Sequence, residues 1–424
     1  MSNVLLLDLI SGISGALDHV SPAVTGHHRR VGLACALVGK SLGLSREELT
    51  DLHVAGQMHD IGAFSLDFAL DGLDFDADLT EHAGVGHRLL RTHPQLQNAA
   101  EFIRHHHTPW KDLQDDGVNE KTAFLGNVVN LLDRVDILAR VGVRTFDRER
   151  IRDVAADYSS TIYAPEAVAA FLDASKDDAF WEAMMHHDGH VRDIMGDLVL
   201  DQRIPQDELL AFAQLFSHII DFRSRHTATH SQGVAETAAQ LAKLAGMNSW
   251  EQRRMRLAGN LHDIGKLAVS SALIEKPAAL EPDEFVVVKN HASVCEDVLN
   301  SIPGLEDVAA WACQHHERVN GKGYPHGLSG DELSLGSRIM AVADVFTAVT
   351  EDRPYRAGMP PEKARSALSA MAQKGYLDAR IVELALENYD MIDAIRTIAQ
   401  SRALDAFKRF SRRDSRPAPL RAVS

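Results

Sequence analysis

The chain is short of cysteine. Its three, Cys35, Cys295 and Cys313, are widely separated and form no CxxC. That excludes a disulfide framework, argues against a Cys-type structural zinc site, and suggests a reducing compartment. Positive charge is also scarce: 60 Asp and Glu outweigh 44 Lys and Arg, leaving a formal net charge of −16. Such a surface repels duplex DNA at long range, so general nucleic-acid binding is disfavoured, although a local basic site can still hold a small anion. Long apolar runs are missing. MSNVLLLDLISG at the start lacks a basic n-region and is broken by Asp8, so neither a signal peptide nor a membrane span is expected, and the cytoplasm is the default location. Convincing alternating strands are absent too. What remains, 45% hydrophobic and 25% charged residues over 424 positions, is the composition of a soluble globular protein with about two or three domains.

Nearly everything reads as helix. Val234, Ala238, Leu241 and Ala245 recur at helical spacing, and Ser249 with Gln252 resembles a capping box before a helix over 250–265. Glycine and proline cluster in NGKGYPHGLSG, 320–330, which is expected to be a loop. The main organising fact is an internal repeat. His27 precedes His59 by 32 residues, as His230 precedes His262; His82 precedes His106 by 24, as His291 precedes His315. Local sequences agree as well: TGHHRRVG with ATHSQGVA, EHAGVGHRLL with NHASVCEDVL, and NLLDRVDIL with AVADVFTAV. The expected architecture is all-α, with two tandem helical bundles over 1–145 and 206–400 joined by a helical connector over 146–205. From Ser401 to Ser424 the chain carries seven Lys/Arg against two Asp, and a disordered basic tail is expected there.

GNLHDIGKLAV, 259–269, places His262, Asp263 and Lys266 in an apolar setting, and QMHDIGAFSL, 57–66, repeats it with Ala63 at the lysine position. Burying an unpaired charge costs several kcal/mol or more, on the order of the transfer penalty for unsatisfied polar groups. In the second copy His230, His262, Asp263, His291, His315, His316 and Asp344 all sit beside apolar helical residues. One such histidine is usually a satisfied core residue; this many, repeated at matched spacing, call for a metal cluster, because imidazole and carboxylate are ligands for divalent transition metals. Two ions about 3.5–4 Å apart clamp the attacking and leaving oxygens of a phosphoryl displacement and lower the pKa of bound water to about 7. Mixed N/O ligation suits iron, manganese, nickel or zinc.

The second copy resembles an HD-GYP domain, the branch of the HD-family phosphohydrolases that hydrolyses cyclic di-GMP. The matching segments are LHDIGK (261–266), HHERVNGKGYP (315–325), VADVFTAVT (342–350) and EDRPYR (351–356), in that order. The resemblance covers about 210–400, and a weaker version covers the first 145 residues. It implies that the seven residues above are metal ligands holding two ions. It further implies that Lys266, beside Asp263 in the catalytic centre, assists the leaving 3′ oxygen, that Tyr324 shapes the guanine and phosphate pocket, and that Arg353 and Arg356 grip phosphate. Arginine forks pair bidentately with phosphate oxygens, which makes that last role sensible. His226 stands where some members carry a glutamate for a third metal, so a third ion through His226 is an alternative to the two-metal centre. The implied reaction is hydrolysis of cyclic di-GMP to pGpG and onward to GMP; cyclic GMP-AMP is the near rival substrate, and a non-hydrolytic cyclic-dinucleotide sensor is the rival from another class. The implied partners are the cyclic dinucleotide and, among proteins, a second copy of the chain or a nucleotide cyclase.

The first copy keeps every ligand position: His27, His59, Asp60, His82, His106, His107 and Asp133. It lacks the lysine, the GYP loop and any DRPYR, and so reads as a degenerate regulatory or dimerising half, either still metallated or carrying a relic cluster. HHDGH at 186–190 and the acidic run DGLDFDADLTEH at 71–82 have no counterpart or calcium-loop spacing, and read as exposed loops.

Overall fold

A computed structural model describes residues 4–18, 25–63, 80–114, 117–140, 147–185, 202–222, 229–274, 276, 278–352 and 357–411. Among them no strand forms beyond isolated bridges, so the fold is all-α. Among the described residues no helix is long and apolar enough to cross a membrane. The first bundle comprises α1 (Leu6–Asp18), α2 (His27–Ser41), α3 (Arg46–Met58), α4 (Thr80–Leu90), α5 (Gln97–His105), α6 (Trp110–Leu113) and α7 (Glu120–Arg140). The stretch expected as a connector supplies α8 (Arg148–Asp157), α9 (Pro165–Ala174) and α10 (Asp178–Met185), which pack on α2 and α7. Within this group Phe171 of α9 and Phe180 and Trp181 of α10 interlock edge to face in the core.

The second bundle begins with α11 (Gln206–Phe222), α12 (His230–Leu244) and α13 (Ser249–Leu261), followed by a 3-10 turn over Ile264–Ala268. Then come α14 (Ser271–Ile274), α15 (Pro282–Lys289), α16 (His291–Asn300), α17 (Glu306–Cys313), α18 (Leu335–Thr350), α19 (Pro361–Gln373), α20 (Ala379–Glu387) and α21 (Tyr389–Ser411). Helix α21 therefore covers the first part of the segment expected as a tail, and 412–424 lie outside the described residues.

Two local expectations shift. The capping box of α13 is made by Asn248 and Glu251, one residue earlier than expected: Asn248 Oδ1 accepts from the Trp250 and Glu251 amides, and Glu251 Oε2 accepts from Asn248 N at 2.7 Å. Glutamate wins over Gln252 because its charge also favours the helix amino terminus. The helix then stops at Leu261, not at 265; His262 is its C-cap, and Asp263 (φ −100°, ψ 11°) has left helical geometry. Cys295 and Cys313, 18 residues apart, meet in the core sulfur to sulfur as free thiols.

Helix α1 touches both halves. It packs on α2 and α3 on one side and on α16 and the 3-10 turn on the other. A Cβ at Gly12 would lie 2.4 Å from Ile302 Cγ1, so any larger residue there would force Ile302 to shift. The start of the chain is stitched to the start of the second bundle by Leu6 N to Gln202 O (2.9 Å) and Ile204 N to Val4 O (3.0 Å). His93 stacks on Phe212 of α11, with ring centroids 4.9 Å apart.

Candidate metal centres

In the second bundle the candidate ligands come from helix ends. Helices α12 and α13 cross so closely that a Cβ at Gly259 would sit 2.5 Å from Ala235 Cα. This brings His230, at the start of α12, beside His262, at the end of α13, with ring centroids 5.5 Å apart. Gly265 lets the 3-10 turn press against the start of α16, where its added Cβ would stand 1.9 Å from His291 O. His291 is thereby carried towards Asp263, and His315 and His316 arrive just after α17.

The resulting donor atoms form three overlapping groups: His230, His262 and Asp344; His262, Asp263 and His315; and His291, His315 and His316, each within 4.8 Å. Asp263 stands in the middle, with Oδ2 3.2 Å from His262 Nε2 and Oδ1 3.7 Å from His291 Nε2 and 4.0 Å from His315 Nε2. Asp263 Oδ1, His291 Nε2 and His315 Nε2 are buried with no hydrogen-bond partner. Native interiors rarely tolerate such atoms, and a cation satisfies all three. Ring orientation is set locally. His262, His291 and His315 donate from Nδ1 to the carbonyls of Gly259, Val288 and Ala312 at 2.8, 2.5 and 2.6 Å. Each then presents an Nε2 lone pair inward, the arrangement that orients metal-binding histidines. His230 donates from Nδ1 to Glu351, 3.1 Å from both carboxylate oxygens, and Gln400 Nε2 donates to Glu351 Oε2 at 2.9 Å.

The field here attracts positive charge. Burial works against His230, yet Glu351 and Asp344 carry it up to about 10. Burial likewise opposes ionised Asp263, which His262 and Lys266 hold well below the usual carboxylate range. Burial takes His316 down to about 3 and His315 well below its ordinary value, leaving both in the neutral, ligating form. Lys266 Nζ donates to Asp263 Oδ2 at 2.5 Å, at the edge of the cluster. Tyr324 lies against His316, centroids 4.7 Å apart, with Lys289 Nζ 4.7 Å from its own ring centroid. Arg353, Arg356 and His226 lie outside the described residues, as do HHDGH and all of the acidic run up to 79.

The first bundle repeats this plan. Asp60, His82, His106 and His107 form one group and His27, His59 and Asp133 another. His59 and His106 donate from Nδ1 to the carbonyls of Gly56 and Ile103 at 2.9 and 2.6 Å. His27 donates to Asp136 Oδ2 at 2.7 Å, and Arg30 braces Asp136 with two bonds of 2.6 and 2.9 Å. Burial opposes the charge on His27, but Asp133 and Asp136 raise it to about 9, whereas burial lowers His107 to about 4.

Sequence reasoning did not single out Glu351, Asp136, Lys289 or Glu317. Glu317, 2% exposed, is the organiser of the GYP loop: its carboxylate accepts from the amides of His326, Gly327 and Leu328 at 2.7–3.0 Å. Its place directly after His315–His316 was the available signal.

Comparison with known proteins bears on the family and the fold. HD-domain family models match residues 24–140 and 214–381. The 3'3'-cGAMP-specific phosphodiesterase 1 of Vibrio cholerae is 31% identical over 400 residues, 91% of this chain and 92% of its own. A cyclic di-GMP phosphodiesterase of Thermotoga maritima is 32% identical over 184 residues, 43% of this chain and 50% of its own. The crystal structure of a cyclic GMP-AMP specific phosphodiesterase of V. cholerae, V-cGAP3, superposes with a TM-score of 0.64 over 95% of this chain and 98% of that one, at 21% identity, a likeness of fold. Matched along nearly its whole length and carrying an HD domain in each half, the chain belongs to the HD-GYP branch of the HD-domain phosphodiesterases.

Proposed function

We propose that the second bundle hydrolyses a 3′3′-linked cyclic dinucleotide, with cyclic GMP-AMP as the preferred substrate and cyclic di-GMP as the competing one. The observation that carries the hydrolytic reading is the convergence of His230, His262, Asp263, His291, His315, His316 and Asp344 on one buried point, with Lys266 at its edge. Cyclic di-GMP is the first expectation from the motifs. The order is reversed here because the relative that aligns over both halves is named for cyclic GMP-AMP, whereas the Thermotoga cyclic di-GMP enzyme aligns over less than half of the chain.

His230, His262 and Asp344 would hold one divalent ion and His291, His315 and His316 another, with Asp263 between them. Bound there, the pair supplies water activation and charge neutralisation at the phosphoryl group. The protein's own residues do the rest. Asp263 and Asp344 keep the centre anionic and so receptive to cations. Lys266, whose ammonium Asp263 holds above its ordinary range against the pull of burial, gives its proton to the 3′ oxygen as the P–O3′ bond breaks and a water oxygen bonds to phosphorus; the proton that water loses passes to solvent, from which Lys266 is recharged. Tyr324 offers a ring face to a base at the mouth, and Lys289 adds positive charge beside it. Arg353 and Arg356 are assigned to phosphate from the sequence motif alone.

The test is one assay. Purified protein reconstituted with Mn²⁺ is given each cyclic dinucleotide separately, and linear products are resolved by chromatography. Higher kcat/KM for cyclic GMP-AMP is expected. A preference for cyclic di-GMP would overturn the substrate order, and no linear product from either would overturn the activity.

A further inference from the structure

We propose that the first bundle is a metal centre in its own right, and that His28, braced by Asp18, joins its shell on the side of Asp60 that Lys266 occupies on Asp263. The lysine position holds Ala63, 2% exposed, which cannot reach the cluster chemically. The vacated face of the carboxylate is taken from another helix. His28 Nε2 lies 3.6 Å from Asp60 Oδ2, the oxygen that also faces His59 Nε2 at 3.2 Å. In the second bundle the corresponding oxygen, Asp263 Oδ2, faces His262 Nε2 at 3.2 Å and Lys266 Nζ at 2.5 Å.

His28 is held for this task. Its Nδ1 donates to Asp18 Oδ1 at 2.7 Å, and both residues are buried. The second bundle has the same device at the same spacing: Asp221, ten residues before Ser231, accepts from Ser231 Oγ at 2.9 Å. Serine is too short to go further, so there the pair is structural. Histidine in its place extends the same anchored position to within 3.6 Å of Asp60 Oδ2.

The exchange changes the chemistry. A lysine ammonium has three donors and no lone pair, so it can protonate a leaving oxygen but never bind a metal. With Nδ1 committed to Asp18, His28 directs Nε2 towards the cluster, as a ligating imidazole must. The first centre thus trades a proton donor for a ligand. Inward lone pairs on His59 and His106 are already fixed by the carbonyls of Gly56 and Ile103, and His27 by the Arg30-braced Asp136. This is a site arranged for holding divalent ions, and it does not rest on the activity assigned to the second bundle.

The test uses the full chain with the second centre disabled, H262A/D263A, stripped with chelator and titrated with Mn²⁺ by calorimetry, with bound metal counted by mass spectrometry. Retained stoichiometric Mn²⁺ is expected; a chain holding none would overturn the proposal. Adding H28A or D18N to that background is expected to weaken Mn²⁺ at least tenfold, with thermal unfolding and circular dichroism reporting that the bundle stays folded. Unchanged affinity in folded H28A would remove His28 from the shell. Should H28A fail to fold, D18N decides by the same criterion. H59A/D60A in an otherwise native chain is expected to hold fewer ions per chain than the parent, and equal content would refute a first-bundle site.

Discussion

Gly265→Ala isolates the geometric condition on which the second centre depends. The new Cβ would lie 1.9 Å from His291 O and 2.8 Å from Cys295 N, both backbone atoms that no rotamer change can move. An ordinary contact begins at 3.4 Å, so the 3-10 turn and the start of α16 must separate by about 1.5 Å, the difference between those distances. Overpacking of this kind costs about 1–3 kcal/mol, or roughly 2–12 °C in Tm for a domain of this size. The functional loss is larger. His291 leads α16 and Lys266 rides the turn, so the displacement opens the gap between the residue proposed to bind metal and the one proposed to protonate the leaving oxygen. A misplacement of about 1 Å can lower turnover by about 10²-fold. The assay is Mn²⁺-reconstituted hydrolysis alongside thermal unfolding. Gly62→Ala is the comparator, because its Cβ would lie 2.0 Å from His82 O in the first bundle. Similar losses of Tm, with a much larger fall in kcat for Gly265, are expected. Parental kcat and metal content in G265A would refute the reasoning.

Other outcomes follow from the same structure. Glu351→Ala removes the carboxylate that orients His230, and should weaken metal binding by about 10–100-fold; an unchanged Kd for Mn²⁺ would show that His230 needs no such support. Lys266→Met should keep its metals but lose about 10²–10⁴-fold in kcat, and parental kcat would remove Lys266 from leaving-group protonation. His53 is buried, its Nδ1 donating to Gly32 O at 2.8 Å, and burial lowers it to about 4 from an ordinary 6.5. The unfolded chain therefore binds a proton that the folded one refuses, so this contribution to stability is complete above about pH 6.5 and is lost as pH falls towards 4, a change on the order of 3 kcal/mol. Urea unfolding of H53N should show a shallower fall over that window; parallel curves would sink the assignment.

The clustering of the candidate ligands was legible because the chain prints their positions twice. Spacings of 32 and 24 residues recur in both halves, and no core requirement imposes that recurrence. The residues that aim the ligands were not legible. Asp136 reaches His27 across 109 positions and Glu351 reaches His230 across 121. They do the same work from different registers, three residues after Asp133 and seven after Asp344, so the repeat itself conceals them. His28 was hidden more simply, beside a better-placed neighbour in HHRR. The capping box was misplaced by one because Asn248–Glu251 and Ser249–Gln252 both satisfy the pattern, and only helix-end electrostatics separates them.

Helix α1 means that repetition in sequence and self-sufficiency in space do not coincide. A fragment starting at 206 would keep every carboxy-terminal ligand yet lose the helix that covers Ile302 and backs the turn bearing Lys266. It would also lose Val4 and Leu6 from the seam at 202–204. Dissecting this molecule therefore calls for point changes within the intact polypeptide or for grafting α1 onto the excised half.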